Sequence, residues 1–254
     1  MPVTIKSARE IELMAEAGRI LEIVHNELRD ALHAGMSTLD IDRLGEEIIR
    51  SYDCIPSFLN YNGYPASICV SLNQEVVHGI PDKHRLIQDG DIVSLDAGVI
   101  YKGYHSDAAR TYGVGEISKE AKNLMQITKE CFFEGIKYAR EGNHLFDISG
   151  AIGRYAEERG YGVVRDLCGH GIGTALHEAP EIPNYEVGRK GVRLRPGMTL
   201  AIEPMITAGG HEVDWLDDDW TVVTRDGSLS AHYENTILIT EGEPRILSLT
   251  CENE

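Results

Sequence analysis

The chain is short of the features that would place it in several large classes. Its five cysteines (Cys54, Cys69, Cys131, Cys168 and Cys251) are odd in number and never spaced Cys-x-x-Cys. That argues against a disulfide framework or a zinc ribbon and for a reducing cytoplasm. No stretch approaches the ~18 apolar residues of a membrane span. The first residues lead directly into a charged amphipathic helix, so no secretory leader is expected. Basic residues are outnumbered, 24 against 41, for a net charge of −17. A nucleic-acid or anionic-membrane surface is therefore disfavoured, because phosphates would be repelled. One run of like charge stands out, Asp217-Asp218-Asp219, and it reads as a loop cap.

What is present suffices for a packed core. At 254 residues, 42% hydrophobic and without low-complexity runs, the chain can form one large domain or two closely joined halves. Ser7 with Glu10 fits a capping box, and Ile11, Met14, Leu21, Val24, Leu28 and Leu32 form one helical stripe that stops near Gly35. A second helix is expected from Ser37-Thr38 through Ile48 and Ile49. Tyr52 to Asn73 reads as an irregular, binding-type loop, and strand text from Ile68 to Val77 delivers His78-Gly79-Ile80-Pro81. Further helices are expected from Ser118 to near Gly142 and from Leu145 to Gly160. Strand text follows around Gly169-His170-Gly171, over Met198–Ile206 and over Tyr233–Ile239.

Between these halves lies a hairpin pattern. Val93-Ser94-Leu95 and Val99-Ile100-Tyr101 flank Asp96, Lys102-Gly103 is a turn candidate, and Tyr104 to Tyr112 can return as the partner. With Lys102-Gly103 as the loop, Asp96 faces Ala109 and Asp107 is its diagonal neighbour. With the loop one residue earlier, Asp96 and Asp107 face each other. Either way two carboxylates converge on one side. Such a pair is costly unless it shares a proton, sits in solvent at a sheet edge, or holds a cation.

The two halves align at a constant offset of 107. Gly35 matches Gly142, Asp40 matches Asp147, Ile41 matches Ile148, Gly90 matches Gly197, and Asp96 matches Glu203. Helix, helix and strands are thus used twice, as in a duplicated α/β unit whose equivalent acids meet at the middle. Glu234, flanked by strand residues, and His170, flanked by glycines, complete a possible donor set: Asp96, Asp107, His170, Glu203 and Glu234. A single strand acid or loop histidine is ordinarily structural. Five together, with four carboxylates and no thiolate, suit two divalent cations of the Mn²⁺, Fe²⁺ or Co²⁺ kind and tolerate Zn²⁺. His78 and His177 remain over, at turns where a side chain can face a cleft and hydrogen-bond a substrate carbonyl.

The order Asp96, Asp107, His170 (in Cys168-Gly169-His170-Gly171-Ile172-Gly173), Glu203 (in Ala201-Ile202-Glu203-Pro204-Met205) and Glu234 resembles that of the methionine aminopeptidases. So do Asn60-Tyr61-Asn62-Gly63-Tyr64-Pro65 and Val77-His78-Gly79-Ile80-Pro81. The likeness runs from the first helix to about Leu249 and is to the type I form. It implies an α/β (α+β) pita-bread fold: a single catalytic domain over residues 1–254, with pseudo-twofold halves of about 7–112 and 118–240 around a curved antiparallel sheet. It also implies a cytoplasmic, monomeric hydrolase that clips the initiator methionine from nascent proteins when the second residue is small, with transient visits to the ribosome. Asp96 would chelate one metal, His170 and Glu203 the other, and Asp107 and Glu234 would bridge. Water activated by the metals would attack the scissile carbonyl, with Glu203 shuttling the proton. His78 would contact the leaving side of the substrate, and His177 would support the carbonyl. Tyr61, Tyr64, Cys69 and Trp220 would form the methionine pocket, an apolar, polarizable cup for a thioether. Two departures bear on that pocket: Phe58 stands where bacterial relatives often have cysteine, and Leu176 where a larger aromatic is common. The rival readings are a proline-directed peptidase of the same fold, which usually carries an extra N-terminal domain, and an inactive binding protein, which should have lost metal ligands.

Overall fold

The computed structural model describes residues 3–249. The first half runs α1 (Ala8–Ala31), α2 (Thr38–Ser51), β1 (Ile55–Pro56), a 3₁₀ turn at Tyr61–Gly63, β2 (Ile68–Leu72), β3 (Glu75–Val77), β4 (Ile92–Tyr101) and β5 (Tyr104–Gly113). The second runs α3 (Lys119–Ile136), α4 (Leu145–Glu157), β6 (Gly162–Val163), β7 (Gly169–Gly171), β8 (Glu178–Ile182), β9 (Thr199–Ile202) and β10 (Met205–Thr207). It continues with β11 (Val213–Trp215), β12 (Val222–Thr224), β13 (Ser230–His232), β14 (Asn235–Leu238) and β15 (Arg245–Ile246).

The helices begin where their caps dictate. Ser7 caps α1 in a full capping box with Glu10, and Ser37 with Asp40 does the same for α2. Two expected boundaries differ. The strand expected over Ile68–Val77 is two strands broken at Asn73, which adopts a positive φ of 53°. The helix expected to reach Gly142 ends at Ile136, because a turn at Tyr138–Asn143 closes on itself through Asn143 N–H to Arg140 O.

All the strand pairing is antiparallel. β4 carries β5 on one side and β1 and β2 on the other; the second half orders its strands β15-β14-β9-β7-β8. The central hairpin turns at Lys102-Gly103, both with positive φ (49° and 86°), as a two-residue loop compatible with strand twist requires. That turn sets the register with Asp96 facing Ala109 and Asp107 facing Gly98, the first of the two alternatives.

The duplication is visible in main-chain bonds. Gly35 N–H donates to Ile87 O and Ile87 N–H to Met36 O; at the same offset, Gly142 N–H donates to Leu194 O and Leu194 N–H to Asn143 O. Isolated bridges Ser37–Leu86 and His144–Arg193 repeat likewise. The two halves join at a seam: Glu234 N–H donates to Ala109 O (3.0 Å) and Ala109 N–H to Glu234 O (3.4 Å).

Each half has its own apolar core. In the first, Leu21, Val24, Ile49, Val70 and Leu95 meet beneath α1 and α2; in the second, Leu124, Phe132, Ile148, Leu200 and Ile202 meet beneath α3 and α4. Every such fully buried side chain contributes roughly 1.5–3 kcal/mol. A smaller cluster containing Met14, Phe58, Tyr64, Cys69, Leu176 and Leu247 draws on both halves and forms one wall of the cleft described next.

Candidate metal centre

The five expected donors converge from both halves on a single cavity of about 210 Å³, lined by Asp96, Asp107, His170, Glu203 and Glu234. β4 delivers half-buried Asp96, β5 delivers Asp107, β7 delivers His170, and the turn after β9 delivers Glu203. Glu234 stands between β13 and β14, held by the seam bonds to Ala109. Asp107 N–H donates to Thr236 Oγ1 (2.8 Å), which donates back to Asp107 O (2.9 Å), so both ends of the seam are tied.

His170 Nε2 lies 3.6 Å from Glu203 Oε1 and 4.0 Å from Asp107 Oδ2. Its Nδ1 hydrogen-bonds Gly171 O at 2.9 Å, which places the proton on Nδ1 and leaves Nε2 as a donor to a cation. The glycines beside it answer to crowding. A Cβ at Gly169 would sit 2.4 Å from Ala201 O and one at Gly171 2.2 Å from Ala179 O, so β7 fits between β8 and β9 only without them.

Burial dominates the electrostatics, and like charge at short range adds to it. Burial pushes Asp96, Asp107, Glu203 and Glu234 above the ordinary carboxylate range. The Asp96 and Glu203 charges raise Asp107 further, Asp96 raises Glu203, and Asp107, Glu203 and Asp96 raise Glu234. Burial lowers His170 to about 3, so it stays neutral. Asp96 Oδ1, Asp107 Oδ1 and Glu234 Oε1 are buried without any hydrogen-bond partner. Buried carboxyl oxygens without partners are what divalent cations fit, and the oxygen-rich set with one imidazole matches hard or borderline ions.

The expected substrate-side residues line the same cavity: His78, His177, Phe58, Tyr61, Tyr64, Cys69 and Trp220, together with Leu176. His177 hydrogen-bonds the Tyr61 hydroxyl at 2.7 Å and meets the His170 ring edge-on at 4.2 Å between centroids. Trp220 stands edge-on to Tyr64 at 5.1 Å, and Asp218 caps its loop by accepting from the Trp220 and Thr221 N–H groups, as the acidic run suggests. His78 adopts a left-handed φ of 60°, a costly conformation for a histidine and one that turns loops into functional sites. Phe58 and Leu176 are both buried in the cavity wall, so the two departures do fall on the pocket. Cys54, Cys69, Cys131 and Cys168 are free thiols; Cys251 lies outside the described residues.

One residue at the centre was missed. His232, on β13, places Nε2 3.8 Å from Glu203 Oε2 and 4.0 Å from Glu234 Oε2. It is the last residue of a three-residue strand, with no glycine or proline beside it to mark it. The signal that finds it is the seam: Thr111 Oγ1 bridges His232 N–H and O, as Thr236 Oγ1 bridges those of Asp107. Since Thr111 pairs with Ser94 and Thr236 with Ala201, offset by 107, His232 is the twin of Asp107.

Comparison with known proteins agrees with this geometry. A methionine aminopeptidase of Clostridium acetobutylicum is 54% identical over 250 residues, spanning 98% of this chain and all of that protein. The crystal structure of methionine aminopeptidase from Thermotoga maritima superposes with a TM-score of 0.96 at 44% identity, covering 98% of this chain and 100% of that one. An Xaa-Pro dipeptidase from Bacillus anthracis shares the fold at 26% identity and a TM-score of 0.77, but this chain covers only 62% of its length. The pita-bread architecture expected from the sequence is therefore the fold of the chain. With residues 12–241 matching the model of metallopeptidase family M24, and near-full-length likeness to methionine aminopeptidases, the chain belongs to that family of metal-dependent peptidases.

Proposed function

We propose that Asp96, Asp107, His170, Glu203 and Glu234 hold two divalent cations, and that the chain removes N-terminal methionine from peptides and nascent proteins at this centre. One observation carries the reading. Four carboxylates meet in one cavity, three of their oxygens are buried without partners, and two divalent cations balance their formal charge. In this reading Asp107 and Glu234 would be shared by the two ions, Asp96 would hold one, and His170 and Glu203 would hold the other. The donor chemistry suits Mn, Fe, Co or Zn.

The bound ions would supply Lewis acidity and lower the pKa of water at the site. The chain's own residues supply the rest. Glu203 would take the proton of the attacking water and pass it to the leaving amine. His177, steadied by Tyr61, faces the scissile carbonyl oxygen, and neutral His78 contacts the leaving side. Tyr64, Cys69, Phe58, Trp220 and Leu176 enclose the methionine side chain in an apolar, polarizable wall. Cytoplasmic residence, a monomeric state, one catalytic domain and transient visits to the ribosome belong to the same proposal. Among the described residues, no helix is long and apolar enough to cross a membrane.

The deciding experiment strips the protein with a chelator, restores each cation in turn, and assays Met-Ala-Ser beside an Ala-Pro substrate. Metal-dependent cleavage of Met-Ala-Ser alone is expected. Cleavage of Ala-Pro alone would establish the proline-directed alternative, and a protein that binds no cation would refute the centre.

A further inference from the structure

His232 is fully enclosed, 1% exposed, and neither of its ring nitrogens has a hydrogen-bond partner. An imidazole buried in that state costs on the order of 1–3 kcal/mol, which a fold does not ordinarily carry without return. It stands behind the carboxylates and does not line the cavity, so it reaches no substrate. Its Nε2 lies 3.8 Å from Glu203 Oε2 and 4.0 Å from Glu234 Oε2, and it is the Glu203 contact that is set opposite His170. His170 Nε2 approaches Glu203 Oε1 at 3.6 Å, while His232 Nε2 approaches Oε2 at 3.8 Å, so the two imidazoles flank opposite oxygens of one carboxylate.

Resting on the proposed two-cation centre, we infer that His232 is a positioning residue for Glu203: its Nε2–H holds Oε2 and so presents Oε1 to the ion shared with His170. The torsion that rotates a glutamate carboxylate is broad and nearly two-fold, so without a grip on one oxygen the group would sample both presentations. At 3.8 Å the contact is longer than a hydrogen bond, and a small rotation of the carboxylate toward the ring closes it. Glu203 also carries the proton in the proposed reaction, so its orientation bears on ion binding and turnover together. Removal of a partner to a metal-ligating group costs about 10–100-fold in affinity or activity.

The test compares the parent with His232→Gln, which retains an N–H donor, and His232→Met, which fills similar space without one. Each stripped protein is titrated with Mn²⁺ by calorimetry, melted in its metal-free form, and assayed for kcat and KM on Met-Ala-Ser. The Met variant should bind its weaker ion and turn over about 10–100-fold less well, with KM little changed. The metal-free Met variant should melt no lower than the parent, because the unpaired imidazole is gone. The Gln variant should stay within about tenfold of the parent in ion affinity and kcat, at the mild edge of the loss expected when a partner is removed outright. A Met variant that binds and turns over like the parent would overturn the inference. So would a Gln variant that falls as far, or a metal-free Met variant that melts well below the parent, since either would make the ring a packing element. The parent's own ion binding and cleavage, measured alongside, test the two-cation reading separately.

Discussion

The two halves share one backbone plan and part company in chemistry. Asp96 is answered by Glu203, one methylene longer. Asp107 is answered by His232, and Ala109, which faces Asp96, by Glu234 across the seam. Duplication supplied paired strand ends at a common centre; unequal substitution then filled them with different donors. The same divergence reaches the cores. His25 on α1 donates from Nε2 to Ala108 O at 2.8 Å, whereas Phe132, 107 positions later on α3, packs at a tilt against Tyr233, 5.4 Å between ring centroids. One half thus carries a titratable contact where the other carries an apolar one.

The sharpest way to break the comparison is to restore symmetry at the seam. Glu234→Ala gives the second half the residue that its twin position holds. It should lower kcat/KM on Met-Ala-Ser by more than about a hundredfold, beyond the usual loss from outer-shell changes, and release at least one ion by metal analysis. Retained activity would mean that asymmetry at this position does not make the site.

A smaller effect separates the cores by pH. Burial lowers His25 to about 3, against 6.5 when unfolded. The folded state therefore keeps it neutral while the unfolded chain takes a proton. Its stability is complete above about pH 6.5 and falls as pH drops toward 3, by up to about 1.4 kcal/mol per unit. His25→Gln, which keeps a donor for Ala108 O, should make that acid limb shallower in urea melts between pH 7 and 4, the other buried histidines keeping the remainder of the slope. Parallel curves for variant and parent would remove the distinction between the cores.

The smallest effect concerns the matched helix starts. Ser37 caps α2 through its hydroxyl as well as through Asp40, while at α4 Asp147 accepts from His144 N–H at 2.8 Å. Ser37→Ala should cost about 1 kcal/mol in urea unfolding and His144→Ala less. Equal losses would show that the two caps work alike.

Much of this was legible in the chain. A two-residue turn with glycine at its second position left two possible registers for Asp96 and Asp107, and both put the carboxylates on one side. The 107 offset exposed the Asp96–Glu203 pair because the connections before those residues are equal in length in the two halves. It failed for Asp107 and His232, since β11, β12 and their loops intervene before β13 and the spacing grows. A histidine that closes a three-residue strand also carries no local signature. The break at Asn73 was hidden because short, apolar β2 and β3 read as one run, and the early end of α3 because its nearest glycine, Gly135, lies inside the helix while the next, Gly142, lies in the turn beyond it.

Glu234 lends its carboxylate to the cavity while its own amide and carbonyl are knotted to Ala109. The frame that joins the halves and the proposed cradle for the ions therefore share one residue. The halves cannot swing apart to admit or shed an ion without tearing main-chain bonds. Under the proposed two-cation centre, ion exchange would pass through the open mouth of the cleft, at a rate governed by the side chains and water there and not by any breathing of the sheet.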